Sequence, residues 1–489
     1  MSFSLNIDNT NFYIFRKLNK IFLLTLTIAT LFAPICHAIV YLDNTNNCPT
    51  CTDGNINYNP NTRSCGNGSD VVYTTLDSFN SNIVSGKINY IRSGSYWRTG
   101  ADWSVGALSI DSKHGSTSNR TVVSAYPGEE RLAIIYTEAG KDRYNPNPTD
   151  TSQGGQGLYY YPCPAITLGS DYTDVIGLKT YGQVLVGASN STLQDCDIGG
   201  GGPYYNWGHV LYIRDSRNMT IRNNWIHHSP ASGEANTHKA MVQSYRSRDI
   251  VYEHNTFSNA HEYGLACGDA RGVAGGSITV RYNFFDSPQI GWMGIAQYAE
   301  VDYFYIHNNI FYNCVTGVRT NQAPAKAQYF YNNTFINCTQ DFADGDANFA
   351  FYAYNNLFYH DSGSTLNYYR TGFTTLSNIH SDYNVFYSSG VSPSLVASGV
   401  SSTTSLSAWK INSGKDGNSL SHNPYFKNAF GNQPEDFKRT IYNENFTSSP
   451  YGSNAGAYET GNEIIGLLNG VSTPSAPPSV PQHLGIVNK

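Results

Sequence analysis

Charged residues are scarce in this chain of 489 residues, because Asp, Glu, Lys and Arg together make up only 13% of it. About a quarter of the residues in an average globular domain are charged, and helical bundles and coiled coils depend on Glu, Lys and Arg. The formal net charge is −6, whereas nucleic-acid-binding domains usually carry a basic surface. The composition therefore argues against helical bundles, coiled coils and nucleic-acid-binding proteins.

A long hydrophobic run is found only near the amino terminus. Basic residues at positions 16, 17 and 20 precede an apolar run over residues 21–35, and small residues follow at 36–38. This order is typical of a secretory signal peptide, so we predict cleavage after Ala38 and export to the periplasm, the cell surface or the medium. The run is shorter than the roughly 20 residues of a membrane-spanning helix. No transmembrane segment is expected in the mature chain.

Cysteines are few but even in number after the predicted cleavage. An even set permits disulfides in an oxidising compartment. The spacing Cys48-x-x-Cys51 with Cys65 is compatible with zinc or redox chemistry, but the surrounding Asn, Gly, Pro and Thr favour a disulfide-stapled N-terminal loop. The mature cysteines are Cys48, Cys51, Cys65, Cys163, Cys196, Cys267, Cys314 and Cys338.

An internal repeat dominates the middle of the chain, which is also rich in Gly and Tyr. The repeat reads aliphatic or aromatic, two variable residues, Asn, one variable residue, then Phe or Ile, as in IRNNWI at residues 221–226. Its period varies between 23 and 31 residues, and two weaker copies precede it at 175–180 and 193–198. The aligned residues are Asn224, Asn255, Asn283, Asn309, Asn333, Asn356 and Asn384.

A drifting period of this length predicts a solenoid whose coils contain several short strands and whose turns accept insertions. The aligned apolar residues fit an inward-facing stack. The aligned Asn side chains fit a ladder, with each amide bonding to the next coil about 4.8 Å away. We therefore predict an all-β, right-handed parallel β-helix at residues 39–460, with an N-terminal cap, after the signal peptide at 1–38 and before a Pro- and Ser-rich tail at 461–489.

The same register makes predictions about three cysteines. Cys314 and Cys338 each follow a ladder Asn by five residues, so they should be neighbours on successive coils. The expected separation allows either a disulfide or a stacked pair of thiols. Cys196 should occupy the ladder position of its own coil.

The repeat, together with YIRSGSY at residues 90–96 and SAYPGE at 124–129, resembles secreted right-handed β-helix proteins of the pectate-lyase-like superfamily. The resemblance covers roughly residues 40–460. That superfamily includes polysaccharide lyases, glycoside hydrolases, epimerases and non-catalytic adhesins, so the resemblance implies carbohydrate recognition without selecting one activity.

Alternation of side chains along the strands identifies a candidate binding face. Within residues 209–215, 239–245 and 317–321 the aliphatic side chains should face inward and their neighbours outward. The result is a stripe of Tyr, Arg and Lys on an acidic protein, which favours an anionic polysaccharide as the partner. The predicted substrate-binding residues are Tyr212, Arg214, His238, Tyr245 and Arg319.

The resemblance to polysaccharide lyases implies β-elimination at a uronate. This reaction needs a group that neutralises the carboxylate and a base that removes the adjacent proton. Lys239, central in the stripe and next to His238, is the predicted base, and Arg271 is the predicted neutralising group or acid. Residues 236–285 also resemble calcium-dependent lyases acting on alginate or dermatan, which implies calcium bound by Asp269. The acidic ligands of such lyases are missing at residues 241–244.

Two other functions fit the same scaffold. A hydrolase would need a pair of carboxyl groups, for which Asp195 with Asp197 and Glu234 with Asp269 are candidates. A non-catalytic glycan-binding or adhesion protein would need only the outward-facing groove, with the Pro-rich tail as a spacer. In each case we expect a monomer.

Overall fold

The computed structural model describes residues 39–98, 106–136, 164–200, 209–227, 240–260, 263–267, 275–286, 293–297, 301–320, 326–344, 350–361, 367–398 and 400–468. Three long sheets, formed by short strands, wind around a common core. The chain passes through sheets I, II and III in turn within each coil. The predicted right-handed parallel β-helix is confirmed.

The strands are numbered in chain order and fall into the three sheets. Sheet I contains β1 (Val40–Leu42), β2 (Asn55–Asn59), β3 (Ser64–Cys65), β4 (Asp70–Tyr73), β5 (Ile88–Ile91), β8 (Thr121–Ala125), β11 (Thr173–Ile176), β14 (Thr192–Gln194), β17 (Arg217–Arg222), β20 (Arg248–Glu253), β23 (Ser277–Arg281), β26 (Tyr303–His307), β29 (Ala327–Tyr331), β32 (Ala350–Tyr354) and β35 (Ile379–Asp382). Sheet II contains β6 (Gly94–Tyr96), β9 (Ala133–Tyr136), β12 (Lys179–Tyr181), β15 (Asp197–Gly199), β18 (Trp225–His227), β21 (Thr256–Ser258), β24 (Phe284–Asp286), β27 (Ile310–Tyr312), β30 (Thr334–Ile336), β33 (Leu357–His360) and β36 (Val385–Ser388). Sheet III contains β7 (Leu108–Ile110), β10 (Ile166–Leu168), β13 (Val184–Val186), β16 (Leu211–Arg214), β19 (Ala240–Tyr245), β22 (Tyr263–Cys267), β25 (Met293–Gln297), β28 (Thr316–Thr320), β31 (Gln340–Asp344), β34 (Asn367–Thr375), β37 (Ser394–Ser398) and β38 (Val400–Thr403).

Pairing between successive coils is parallel, and antiparallel pairs occur at the ends of the described solenoid. Strand β2 pairs antiparallel with β3 and β4 at one end, and β37 pairs antiparallel with β38 at the other. Short helices also lie near the two ends, α1 (Leu76–Asn82) and α2 (Leu406–Ser413). Two 3₁₀ turns occur at Leu376–Asn378 and Pro434–Phe437. Hairpins and helices at the ends of a solenoid limit edge-to-edge association.

The Asn ladder runs along the turn between sheets I and II, and it is confirmed. The Asn224 Nδ2 donates to Asn255 Oδ1 at 3.0 Å, and the next five steps have the same geometry at 3.0 to 3.2 Å. The last residue, Asn384, donates to Asp416 Oδ1 at 2.9 Å. At the other end the Cys196 amide donates to Asn224 Oδ1 at 2.9 Å, so Cys196 lies at the ladder position as predicted.

A left-handed backbone conformation recurs at the residue that precedes each ladder Asn. The φ values are 55° at His254, 57° at Tyr282 and 58° at Tyr383. Bulky residues rarely adopt this conformation. The hydrogen bonds of the ladder therefore hold a strained turn in place.

Phenylalanine rings from sheet II form a second ladder inside the solenoid. The ring centroids of Phe285, Phe311 and Phe335 are 4.8 Å apart at each step, and the planes are nearly parallel. Glycines of sheet III face this stack. A Cβ atom on Gly294 would lie 2.7 Å from the Phe311 ring, so glycine there allows the rings to approach the facing backbone.

The buried cysteines of the coils are free thiols. Cys314 and Cys338 are neighbours on successive coils, as predicted, and they are free thiols rather than a disulfide, with the Cys338 Sγ donating to Phe311 O at 3.5 Å. Cys196 and Cys267 are also buried and free.

The three N-terminal cysteines lie together in the cap. The Cα separations are 5.4 Å for Cys48 and Cys51 and 5.1 Å for Cys51 and Cys65, both within the range of disulfides. The predicted staple is thus formed by closely placed cysteines, although Cys51 can bond to only one partner at a time.

The two sequence motifs of the resemblance pack against each other in the cap. The Arg92 guanidinium donates to both carboxylate oxygens of Glu129, at 3.0 and 2.6 Å. The Ser93 amide donates to the same carboxylate at 2.6 Å, and Arg92 lies 4.1 Å above the Tyr126 ring. A bidentate ion pair of this kind is geometrically specific, so the motifs build the cap.

A C-terminal segment at residues 423–468 returns along the outer face of sheet II. The Ala457 amide donates to Thr334 Oγ1 at 2.8 Å, and the Leu468 amide donates to Asn223 Oδ1 at 2.6 Å. Phe437, Tyr458 and Ile465 are buried in this contact. Within the described ranges, the helices are too short and too polar to cross a membrane.

Candidate functional site

The outer face of sheet III presents the predicted binding residues that the structure describes. Tyr212 is half-buried and Arg214 exposed, while the alternate residues Leu211 and Ile213 are fully buried. Tyr245 lies one coil after Arg214, pairs with it in register and is half-buried. Arg319, on a later coil of the same sheet, is also half-buried. These four side chains face outward, in agreement with the predicted alternation. The predicted residues His238, Lys239, Asp269 and Arg271 lie outside the described residues.

The strand register sets the distances along this face. Tyr212 and Arg319 lie in one column, separated by Gln243, Ala266 and Ala296. Four strand steps correspond to roughly 19 Å, so Tyr212 and Arg319 are too far apart to contact one sugar unit. Alternation alone predicted a continuous basic and aromatic stripe, but the middle of the column is different. Gln243 and Ala266 are uncharged there, and they are only 7% and 1% exposed.

A cluster of arginines lies at the turns that lead from sheet III to sheet I. The Arg214 Nε donates to Asp215 Oδ2 and the Arg246 Nε contacts Asp215 Oδ1, both at 3.0 Å. The shared carboxylate therefore fixes two guanidinium groups on neighbouring coils. Their side chains are 55% and 44% exposed, so they remain accessible to a ligand.

Two further arginines extend the cluster. Arg217 pairs in register with Arg248 on sheet I, one turn from Arg214 and Arg246. The four arginines outnumber the acidic residues Asp215 and Asp249 of the same turns by two, although the chain as a whole has a net charge of −6. We refer to Arg214, Arg217, Arg246 and Arg248 as the arginine cluster.

Of this cluster, sequence reasoning identified only Arg214. The other three arginines lie just outside the segments 209–215 and 239–245, to which the alternation of side chains was applied. They are Arg217, Arg246 and Arg248. The available signal was the presence of two arginines at the same turn of consecutive coils, in YIRDSR at 212–217 and YRSR at 245–248. That signal becomes visible only when the two coils are aligned in register.

Of the two carboxyl pairs proposed for hydrolysis, Glu234 with Asp269 lies outside the described residues, and Asp195 with Asp197 makes other contacts. Asp197 lies on sheet II, between Lys179 Nζ at 2.9 Å and His227 Nε2 at 2.7 Å. Burial alone would raise the pKa of Asp197, but His227 and Lys179 lower it to about 2. Asp195 accepts hydrogen bonds from Gln194 and Asn223. Because Asp197 stays ionised, it is not suited to act as a general acid.

A second titratable group faces outward on sheet II. Burial raises the pKa of Asp286 to about 6. Asp286 lies in the same row as His227 and Ser258 on the two preceding coils. The row places His227 and Asp286 roughly 10 Å apart, so this carboxyl is not part of a close catalytic pair with His227.

The predicted calcium ligand Asp269 lies outside the described residues, and the described residues bring possible metal ligands together at another place. In the part of the chain that the structure describes, one group of three or more His, Cys, Asp or Glu ligand atoms converges, and it consists of Cys48, Cys51 and Cys65. On the outer face of sheet III, Asp215 is engaged by two arginines. The described residues of that face therefore do not fit a calcium ion, which takes six to eight oxygen ligands.

Comparison with solved structures supports the fold. Pectate lyase Pel9A aligns with a TM-score of 0.50 at 12% identity, over 71% of this chain and 80% of the lyase. The chain has a pectate-lyase-like β-helix fold. A rhamnogalacturonan lyase aligns with a TM-score of 0.43 at 13% identity, over 66% of this chain and 82% of that one. An exopolygalacturonase from Thermotoga maritima aligns with a TM-score of 0.39 at 12% identity, over 65% of this chain and 84% of that one.

Sequence comparisons add nothing to this assignment. The chain matches no protein-family model, and it matches no curated protein. At 12% identity a structural likeness concerns the fold, so function has to be argued from the residues of the site.

Proposed function

We propose that this protein is an exported carbohydrate-active protein that binds an acidic polysaccharide along the outer face of sheet III. The observation that carries the proposal is the arginine cluster, which adjoins the outward-facing Tyr212 and Tyr245 on an otherwise acidic chain. The solved structures that share the fold include polysaccharide lyases, which supports the same class of ligand.

The geometry of the cluster suits carboxylate groups spaced along a chain. A guanidinium presents several N–H donors in a planar fork and binds carboxylates in a bidentate manner. Asp215 uses one edge of Arg214 and one edge of Arg246, which orients both forks and leaves other donors for a ligand. The tyrosines beside them supply aromatic surface and hydroxyl groups for sugar rings.

The favoured reaction is β-elimination at a uronate. A base removes the proton next to the carboxylate, the glycosidic C–O bond breaks, the released oxygen takes up a proton from water, and a carbon–carbon double bond forms in the product. We assign the base to Lys239, which immediately precedes β19, and the neutralisation of the carboxylate to Arg271, which follows β22. A lysine acts as a base when neighbouring cations lower its pKa. No step of this scheme is assigned to calcium or Asp269.

One observation favours a non-catalytic glycan-binding protein as the second candidate. Between Tyr212 and Arg319 the described column carries Gln243 and Ala266, and neither side chain is an acid or a base. A binding groove needs no such group. The two candidates share the arginine cluster and differ only in whether Lys239 acts chemically.

The test follows the ultraviolet absorbance of unsaturated products while the mature protein is incubated with pectate, alginate or glycosaminoglycans. A rise in absorbance that is lost in Lys239→Ala, but retained in Arg281→Ala, is the expected result. Arg281 is a matched control because it is a partly exposed arginine paired with Glu253 on sheet I. Binding without a rise on any of these polymers would establish the glycan-binding candidate, and absence of binding would overturn the proposal.

A further inference from the structure

Three cysteines far from sheet III converge in the N-terminal cap. Cys48 and Cys51 lie in the turn after β1, and Cys65 ends β3. The Cys51 amide donates to the Cys48 carbonyl at 3.0 Å, and the Cys65 amide donates to Thr50 Oγ1 at 3.1 Å. The three sulfur atoms all lie within 4.8 Å of one another, so the backbone directs three side chains to one point.

An odd number of converging sulfurs cannot be used up by disulfides among themselves. A disulfide consumes two of the three, and the pairs with Cα separations of 5.4 and 5.1 Å both include Cys51. Either disulfide therefore leaves Cys48 or Cys65 as a thiol beside the bonded sulfurs. A single metal ion, in contrast, uses all three at once.

We propose that the reduced cap binds one soft divalent metal ion of the Zn²⁺ type through the thiolates of Cys48, Cys51 and Cys65. Zinc bonds to thiolate sulfur at about 2.3 Å in tetrahedral geometry, which separates the ligand sulfurs by roughly 3.8 Å. The Cα separations of 5.4 Å for Cys48 and Cys51 and 5.1 Å for Cys51 and Cys65 allow the reduced side chains to adopt this spacing. The metal acts in the cap, independently of the polysaccharide site.

The surroundings leave one side of the cluster open. Cys48 and Cys51 are buried with Tyr41, Tyr58 and Val72, and Cys65 is half-buried. In the described part of the chain, no His, Asp or Glu completes the set within the same distance. The fourth position of the ion is therefore assigned to water or an external ligand, which approaches from the side of Cys65.

The other cysteines of the fold provide an internal comparison. Cys314 and Cys338 are also adjacent, but they are only two and both are buried within the solenoid core. Burial raises the pKa of the Cys338 thiol, which opposes formation of the thiolate that a metal needs. This pair is expected to bind no metal.

The experiment uses the full mature chain, reduced and freed of metal under anaerobic conditions, and titrated with Co²⁺ as a spectroscopic probe for Zn²⁺. We expect sulfur-to-cobalt charge-transfer absorption that saturates at one equivalent and is displaced by Zn²⁺. Cys65→Ser should weaken Co²⁺ binding at least tenfold, and Cys314→Ser should leave it unchanged.

A second measurement needs no variant, so misfolding of a cysteine variant does not weaken the test. Bound Zn²⁺ should protect Cys48, Cys51 and Cys65 together from alkylation in the folded wild-type chain, as mapped by mass spectrometry. Absence of the charge-transfer band in the reduced protein, or protection of only two of the three cysteines, would overturn the proposal. Loss of metal binding with an intact response to polyuronates would reject this inference and leave the proposed function standing.

Discussion

Two corners of the same solenoid show opposite behaviour. The turn between sheets I and II keeps one geometry on seven successive coils, which carry the ladder residues from Asn224 to Asn384. The turns from sheet III to sheet I instead differ in length, from two residues between β16 and β17 to ten between β7 and β8. The arginine cluster lies at two of these turns. The repetitive corner holds the coils in register, whereas the irregular corner carries residues that differ from coil to coil and can recognise a ligand.

The difference has a physical cause. Each ladder Asn is fully buried, and its amide bonds to the coils on both sides, so a change in one coil leaves polar groups of its neighbours without partners. A buried polar group without a partner costs about 1–3 kcal/mol. Arg214 and Arg246, at the turns after sheet III, contact solvent, and they can change at much smaller cost.

The largest effect is expected for Asn309→Ala in the middle of the ladder. The Asn309 side chain donates to Val280 O, His307 O and Asn333 Oδ1, and it accepts from Asn283. Loss of these bonds should lower the free energy of unfolding by about 3 kcal/mol or more. Urea denaturation measures it, and Asn82→Ala in the exposed end of α1 is the control. Equal effects of the two variants would contradict a structural role for the ladder.

A somewhat smaller effect is expected for Gly294→Ala beside the Phe stack. The new methyl group would lie 2.7 Å from the Phe311 ring and 2.7 Å from the Gly317 carbonyl, and overpacking of this kind typically costs 1–3 kcal/mol. Thermal unfolding of Gly294→Ala and of Gly417→Ala provides the comparison, since a Cβ on Gly417 meets no atom within 4 Å. An unchanged melting temperature for Gly294→Ala would show that the core is not tightly packed there.

Two buried carboxyls should give opposite pH dependence of stability. The pKa of Asp197 is lowered to about 2 from 3.8, so its stabilisation is present above about pH 4 and is lost as the pH falls toward 2. Burial raises the pKa of Asp341 to about 6, despite its contact with His360. Between about pH 4 and 6 the folded protein therefore keeps a proton on Asp341 that the unfolded chain has lost. The free energy of unfolding should decrease as the pH rises through this range.

Unfolding measured across pH separates the two carboxyls. Asp197→Asn should remove the part of the stability that is lost as the pH falls from about 4 to 2, and it should leave the decline between pH 4 and 6 unchanged. Asp341→Asn should remove only the decline in stability between pH 4 and 6. Identical pH profiles for the variants and the wild type would contradict the assignment.

The smallest effect on stability is expected in the arginine cluster. Arg246→Ala breaks an exposed ion pair, which contributes about 0–1 kcal/mol to folding. The same variant should weaken binding of a polyuronate about tenfold, because charge-assisted hydrogen bonds contribute roughly 1.5–3 kcal/mol each. Calorimetric titration with Arg246→Ala and Arg281→Ala distinguishes the cluster from arginines elsewhere. A similar loss in both variants would show that binding depends only on net charge.

The sequence predicted those features of the structure that recur from coil to coil. The ladder position of Cys196 and the neighbouring thiols of Cys314 and Cys338 followed from counting residues after each aligned Asn. The outward orientation of Tyr212 and Arg319 followed from alternation, but their separation of roughly 19 Å came from strand pairing. Asp416 at the end of the ladder and the contact of Leu468 with Asn223 could not be predicted, because no repeat connects these residues with their partners.

The repeat in the amino-acid sequence is enough to predict the all-β solenoid, its register and its Asn ladder. Those features depend on local periodicity, because each coil repeats the same pattern of apolar residues and Asn. The contacts between side chains of different coils became known from the three-dimensional structure. They include the arginines around Asp215, the cysteines in the cap, and the placement of Asp197 between Lys179 and His227. Such contacts depend on coil lengths and turn geometries that act together over long separations. A pattern within one coil contains no information about them.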